Sequence, residues 1–391
     1  MNKLTLLVIL LLCNPITLYL LLGSFWTTSV ILVIVFACYY LLNTYLAQPF
    51  VKVLFFNLLS LFSILYHAEL IFSYSFPDWN IPNLYESKGN YYFNRPYLKE
   101  VFYTTEFNSI YRTNINGYRI ANDEPCFYPT TSADILFIGD SFTQGAQVDY
   151  SEMFSSIVSD SLPNLKVVNA GISGAGIVDE FCYFMDRGRL LKPKYVVLEI
   201  GVFNDFMEVR ERHANFNSLM IEHSNLYRYI FYNFMGEDDC PLGRWTEPIF
   251  KDEDTNRNLN ILYTKTSPYK ERDKKNFKEY LIKFKEECRK INCELIVVLL
   301  PSKEQISDQC FQEVIKGYGL NPNDFDLTYP NRWMNEVCME NSIELIDLFS
   351  DFKESGMFPF LIKDEHMNKT GHLLVGNKIV NHFKHNNNSF K

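Results

Sequence analysis

A chain of 391 residues is long enough for one large domain with added elements, or for two domains. Its formal net charge of −9 excludes the broad basic surface that binds nucleic acid without sequence preference. Hydrophobic residues make up 47% of the chain, and their uneven distribution makes the N-terminal region the first question.

From Leu4 to Val51 there are 48 consecutive residues without Asp, Glu, Lys or Arg. A bilayer core about 30 Å thick takes roughly 20 apolar residues of helix, so this run suits two spans. They are expected at Leu4–Leu22 and Phe25–Leu46, with Gly23 and Ser24 turning between them and Trp26 suited to an interface. A cleaved signal peptide fits poorly, because no small-residue cleavage site follows Leu10–Cys13 and the apolar run continues. A third segment from Lys52 to about Phe76 reads as a further span or as a helix lying on the membrane surface. Three spans place Lys3 and Lys52 together on the cytoplasmic side, as the positive-inside rule prefers, and the rest of the chain outside, periplasmic or extracellular. Two spans return it to the starting side. The three-span reading is preferred, with the lipid bilayer as a partner.

Beyond residue 76 the composition changes. Residues 77–133 are rich in Tyr, Asn and Pro and read as an irregular connecting region. A regular alternation then fills residues 134–386. Strands are expected at Asp134–Asp140, Leu165–Ala170, Tyr195–Ile200, Glu294–Leu300 and Ile343–Phe349. Helices are expected at Met153–Leu162, Ile177–Leu191, Lys274–Asn292, Gln312–Tyr318, Pro330–Glu340 and Lys369–Phe383. Strands that lack a hydrophilic face and alternate with helices imply a parallel sheet covered on both sides, a three-layer α/β/α domain. Residues 207–273 interrupt the alternation with an aromatic, charge-mixed insertion suited to a lid or a substrate surface, or equally to packing over the sheet edge. Its aromatics (Phe216, Tyr227, Tyr229, Phe231, Tyr232, Phe234) suit either sugar stacking or a core. Seven of the nine cysteines stand outside the two expected spans, an odd number that cannot all pair within one chain. No CxxC or Cys/His spacing points to a metal, so neither metal nor cofactor is expected.

Ligands in open α/β sheets bind outside the carboxyl ends of the strands. Four blocks stand there in order: GDSFTQG from Gly139, VNAGISG from Val168, GVFND from Gly201 and DEHMNKTGH from Asp364. Taken singly each has a bland reading: Ser141 as a helix cap, the glycines as a tight loop, Asn204 as a turn amide, His366 as a surface histidine. Their joint order at successive strand ends is harder to produce by chance. A serine hydroxyl needs an adjacent base to act as a nucleophile, and a histidine with a carboxylate partner supplies one.

With these blocks in place, the chain resembles the SGNH, or GDSL-type, hydrolase superfamily. The similarity runs from about Asn114 to Lys384 and includes RTNINGYRI (Arg112–Ile120) upstream of the first block. The resemblance implies a flavodoxin-like five-stranded parallel sheet of order 2-1-3-4-5, the SGNH hydrolase fold, here preceded by transmembrane helices. It implies Ser141 as nucleophile, His366 as base and Asp364 as its carboxylate partner, with Glu365 the alternative carboxylate. It implies an oxyanion hole from the N–H groups of Ser141 and Gly174 and the side-chain amide of Asn204. The two-residue spacing from Asp364 to His366 is similar to that of membrane- and polysaccharide-associated members. The expected substrate is an acylated carbohydrate or other ester, with a membrane-bound acyl donor as a further partner if the acyl group is transferred. A lipase or thioesterase acting on membrane-derived acyl chains, and a non-catalytic scaffold in envelope polysaccharide assembly, are the alternatives.

Overall fold

The computed structural model describes residues 84–88, 91–206 and 259–386, with isolated positions at 68, 69, 209, 224, 226 and 227. The expected spans Leu4–Leu22 and Phe25–Leu46, nearly all of the third apolar segment and most of the 207–273 insertion lie outside the described residues. Among the described residues no helix is long and apolar enough to cross a membrane. The chain divides into two compact units, Met1–Ile81 with His223–Met235 and Pro82–Glu222 with Gly236–Lys391. In the first, the Glu69 carboxylate accepts hydrogen bonds from Ser224 Oγ (2.7 Å) and the Leu226 N–H (2.9 Å).

The second unit is built on five parallel strands: β5 (Ile135–Ile138), β6 (Val167–Asn169), β7 (Tyr195–Gly201), β8 (Glu294–Leu300) and β9 (Glu344–Asp347). Their order is β6-β5-β7-β8-β9, which is 2-1-3-4-5 counted within the sheet. ILFI, YVVLEIG and ELIVVLL are almost wholly buried, as strands covered on both faces must be. Side chains alternate between two cores. Leu136, Ile138, Val196, Leu198, Val297 and Leu299 face one core, and Ile135, Phe137, Val197, Ile296 and Val298 face the other. Each fully buried Leu, Ile, Val or Phe side chain contributes about 1.5–3 kcal/mol.

Helices supply both outer layers. A short helix α1 (Ser141–Gln144) leaves β5. Helix α2 (Phe154–Ser161) packs with the last helix on one face, and α3 (Ile177–Asp186) packs on the other. Helix α4 (Pro268–Lys290) joins α3 and begins earlier than its apolar periodicity suggests. Ser267 caps it by accepting the Lys270 N–H at 3.2 Å, and Pro268 occupies the first turn, where its missing donor costs nothing. After β8 come α5 (Lys303–Ile306), α6 (Asp308–Tyr318) and α7 (Tyr329–Glu340). After β9 come α8 (Phe349–Glu354) and α9 (Lys369–Asn386).

Within the expected irregular connection, residues 113–133 carry turns and an isolated bridge, as expected, but 85–112 hold two strand pairs, which the sequence concealed because short, half-exposed strands of Tyr, Asn and charged residues give little period-two contrast. Strand β1 (Tyr85–Ser87) pairs with β2 (Tyr92–Asn94), and β3 (Lys99–Tyr103) with β4 (Asn108–Arg112), both antiparallel. They pack into the second unit. The Phe93 ring stacks on Tyr183 of α3 at 5.0 Å and meets Tyr118 edge-on at 5.5 Å, and the Tyr183 hydroxyl donates to that of Tyr118 at 3.0 Å. The Cys126, Cys288, Cys293, Cys310 and Cys338 thiols form no disulfide among the described residues, and Cys240 lies outside them.

Candidate active site

Chain turns at the carboxyl ends of β5, β6 and β7, with the loop before α9, bring the predicted residues to one edge of the sheet. Ser141 is the first residue of α1 and is half-buried. At a helix start the backbone N–H groups have no intrahelical acceptor, so the Ser141 N–H points out of the turn. Asp140 caps this helix: its Oδ1 accepts the Phe142 N–H at 2.8 Å. Its Oδ2 accepts the Asn204 Nδ2–H at 3.0 Å. That bond fixes the plane of the Asn204 amide, and with it the direction of its second N–H.

The β6 loop is drawn against α1. Asn169 Nδ2 donates to the Thr143 carbonyl at 2.7 Å, and the Ile172 N–H to the Gly139 carbonyl at 3.0 Å. Gly171 is required here, because a Cβ would sit 2.2 Å from the Gln144 nitrogen. Gly174 has φ +70°, a left-handed conformation that side chains rarely adopt.

His366 and Asp364 form a close pair. Asp364 Oδ1 lies 2.5 Å from His366 Nδ1 and also accepts the His366 N–H at 2.8 Å. The imidazole stands 4.9 Å from the Phe142 ring, centroid to centroid, and its charge is felt at Asp140. Phe142, the residue after Ser141, is thus a neighbour of His366. Glu365, the alternative carboxylate, turns instead to Lys303, whose Nζ is 3.6 Å from its Oε2. Burial, then the charge of Glu304, push Glu365 up to about 7 against the pull of Lys303.

A buried acidic cluster lies beside the turn that carries Ser141. Carboxylate atoms of Asp140, Glu199 and Asp205 fall within 4.8 Å of one another. Burial pushes Glu199 well up, reinforced by the charges of Asp140 and Glu180, and burial also raises Asp140. Glu199 Oε2 accepts from Thr143 Oγ1 at 2.9 Å, and Asp205 Oδ2 accepts the Gly201 N–H at 2.6 Å. Burial and mutual repulsion thus favour the protonated form of these acids. An acid inside the apolar run YVVLEI was the cluster's visible signal in the sequence. Arg119, from the upstream RTNINGYRI stretch, is buried and donates to the carbonyls of Gln144 (2.9 Å), Gly145 and Val148 (2.6 Å), closing the far end of the same turn.

His372 takes no part in this edge. It is buried in α9, stacks on Phe154 at 5.6 Å and accepts the Phe154 N–H at Nδ1. Burial, then the charges of Arg119 and His366, push it down to about 3. Unfolding exposes an imidazole of ordinary pKa 6.5, so the unfolded chain binds the extra proton below that value. The contribution is complete above pH 6.5 and is lost as pH falls toward about 3. His372→Gln, which cannot take up that proton, is expected to lose less stability than the parent over this window, by up to a few kcal/mol. Denaturant unfolding at stepped pH measures it.

The family model of the GDSL-like lipases and acylhydrolases matches residues 137–374. This covers more than half of the chain, and the chain belongs to that family of ester-hydrolysing enzymes. No curated protein matches it. Among solved structures it is similar to an acetyl xylan esterase (15% identity, 63% of this chain and 98% of that chain, TM-score 0.38). It is also similar to a member of the lipolytic protein G-D-S-L family from Veillonella parvula DSM 2008 (16%, 64% and 97%, 0.37). A third is an acetylxylan esterase from Geobacillus stearothermophilus (15%, 64% and 94%, 0.36).

Proposed function

We propose that this acylhydrolase removes or transfers an acyl group, acetyl in the first instance, on a cell-envelope carbohydrate, through an acyl-serine intermediate. The observation that carries the reading is the Asp364–His366 pair set against Phe142, on the sheet edge shared by Ser141, Gly174 and Asn204. With Nδ1 turned to Asp364, His366 offers Nε2 as the base. Ser141 Oγ attacks the ester carbonyl as Nε2 takes its proton. The oxygen gains negative charge, held by the Ser141 and Gly174 N–H groups and the Asn204 amide, each donor worth about 3–4 kcal/mol in the barrier. The imidazolium returns the proton to the departing alcohol, and Asp364 remains ionised throughout. Water then releases the free acid, or a sugar hydroxyl takes the acyl group; His366 deprotonates either one. The carbohydrate acceptor is inferred from the Asp364–His366 spacing, similar to that of polysaccharide-associated members, and the membrane location from the 48 uncharged residues at Leu4–Val51.

The test uses the full chain in native membranes. Acetate release from an acetylated glycan is measured with and without an unacetylated sugar acceptor, and a membrane-impermeant fluorophosphonate is applied to intact cells. Labelling at Ser141 together with acetate release or acetyl transfer is the expected result. Turnover confined to long-chain acyl esters turns the reading to a lipase, and labelling only when cells are opened places the domain inside.

A further inference from the structure

The loop that carries Asp364 and His366 is held by a residue far away in sequence. Phe360 pairs with Met367, and the Leu361 N–H donates to the His366 carbonyl at 2.9 Å, so residues 362–365 form the loop tip. At that tip three successive backbone N–H groups converge on one carboxylate, that of Glu106. Ile362 donates to its Oε1 at 2.7 Å, and Lys363 and Asp364 donate to its Oε2 at 2.9 and 3.0 Å. Successive N–H groups aimed at one point make an anion-binding nest, and here a side chain of the same chain fills it. Lys303 steadies the loop from another direction, donating to the Ile362 carbonyl at 3.3 Å.

Glu106 stands in the turn between β3 and β4, ahead of the matched family region. The turn is itself fixed: Thr104 Oγ1 accepts the N–H groups of Glu106 and Phe107, both at 3.1 Å. The same hairpin also grips the nucleophile side. Ser109 Oγ donates to the Ala146 carbonyl, and the Ile110 N–H to Asp149 Oδ1 at 3.4 Å, just past the turn that follows α1. One hairpin therefore touches the segment leaving Ser141 and the loop bearing His366.

We infer that the β3–β4 hairpin is a brace between the two halves of the active site, and that Glu106 is a positioning residue that orients the Asp364–His366 pair toward Ser141. The inference rests on the reading of Ser141, Asp364 and His366 given above. Glu106 touches no reacting atom; it acts through the three N–H groups it gathers. Its effect falls on the chemical step, because a base displaced by about 1 Å can cost some 10²-fold in rate while substrate contacts elsewhere are unchanged.

The experiment compares the full-length parent with Glu106→Ala and Glu106→Gln. It measures kcat and KM for 4-nitrophenyl acetate and hydrogen exchange of the 361–368 segment and of β7 and β8. Glu106→Ala is expected to lower kcat by about tenfold or more with KM within about twofold. It should speed exchange at 361–368 and leave the central strands protected. Glu106→Gln, which keeps one acceptor oxygen, is expected to recover part of both losses. Parent-like kcat in Glu106→Ala overturns the inference, whether or not the segment exchanges faster. So does a loss of protection throughout β7 and β8, which marks Glu106 as a general stability residue. A parent chain that turns over no ester, with Ser141→Ala no different from it, sinks the reading of the site and this inference with it. An active parent with a fully active Glu106→Ala sinks the brace alone.

Discussion

Ser141→Ala is expected to lower ester turnover by at least about 10⁴-fold while leaving the fold intact, because in the proposed mechanism nucleophile and base act as one unit. The substitution removes one oxygen from a half-buried residue at a helix start. The Asp140 cap on the Phe142 N–H and the Asn204 bond to Asp140 do not involve that oxygen. The change in stability should therefore stay within about 1 kcal/mol. His366→Ala is expected to fall to the same floor, and the double variant no further. In the proposed mechanism, what remains above water in each case comes from the Ser141 and Gly174 N–H groups and the Asn204 amide, which all three variants retain. Steady-state turnover, thermal midpoints and fluorophosphonate labelling of the four proteins decide the matter. A Ser141→Ala protein within tenfold of the parent would remove Ser141 as nucleophile.

Asp364→Asn is expected to cost about 10³–10⁴-fold in kcat for a different reason. Burial alone would raise the Asp364 carboxyl. The His366 hydrogen bond and charge, the His366 N–H and the charge of Lys303 outweigh it and hold the group below the ordinary carboxylate range. The carboxylate therefore stays ionised at working pH and, in the proposed mechanism, holds the ring by Nδ1 with Nε2 turned to Ser141. An asparagine amide can donate to Nδ1, which favours the opposite tautomer and puts the ring proton where the base should be. Glu365→Gln is the control. Glu365 faces Lys303, so its loss should leave kcat within about tenfold of the parent. Reversed magnitudes for the two variants would exchange their roles.

The sequence made the sheet legible because a strand buried on both faces has no polar side to hide. ILFI, YVVLEI and ELIVVLL announce themselves, and the crossover helices between them leave few topologies open. The five residues proposed for the site drew notice in two kinds of place: Ser141, Gly174 and Asn204 just past the ends of β5, β6 and β7, among glycines, and Asp364 and His366 in the loop before α9. Glu106 was not legible. It is one acid in a half-exposed hairpin, and its partners lie 256 to 258 residues further on, so no local pattern marks it. Lys303 and Arg119 escaped for the same reason, since a cation that serves backbone carbonyls needs no counter-charge nearby in sequence. Glu199 was visible as an anomaly within its strand, although its neighbours Asp140 and Asp205 come from two different turns.

The aromatic seam of Phe93, Tyr118 and Tyr183 has a practical consequence for anyone trimming this protein. Scission at the start of the matched family region would leave Tyr183 facing water where Phe93 had covered it, and would strip Arg119 from the carbonyls beyond Ser141. The thermodynamic border of the enzyme thus falls well upstream of its genealogical one, and a shortened version that merely expresses poorly says nothing against its chemistry.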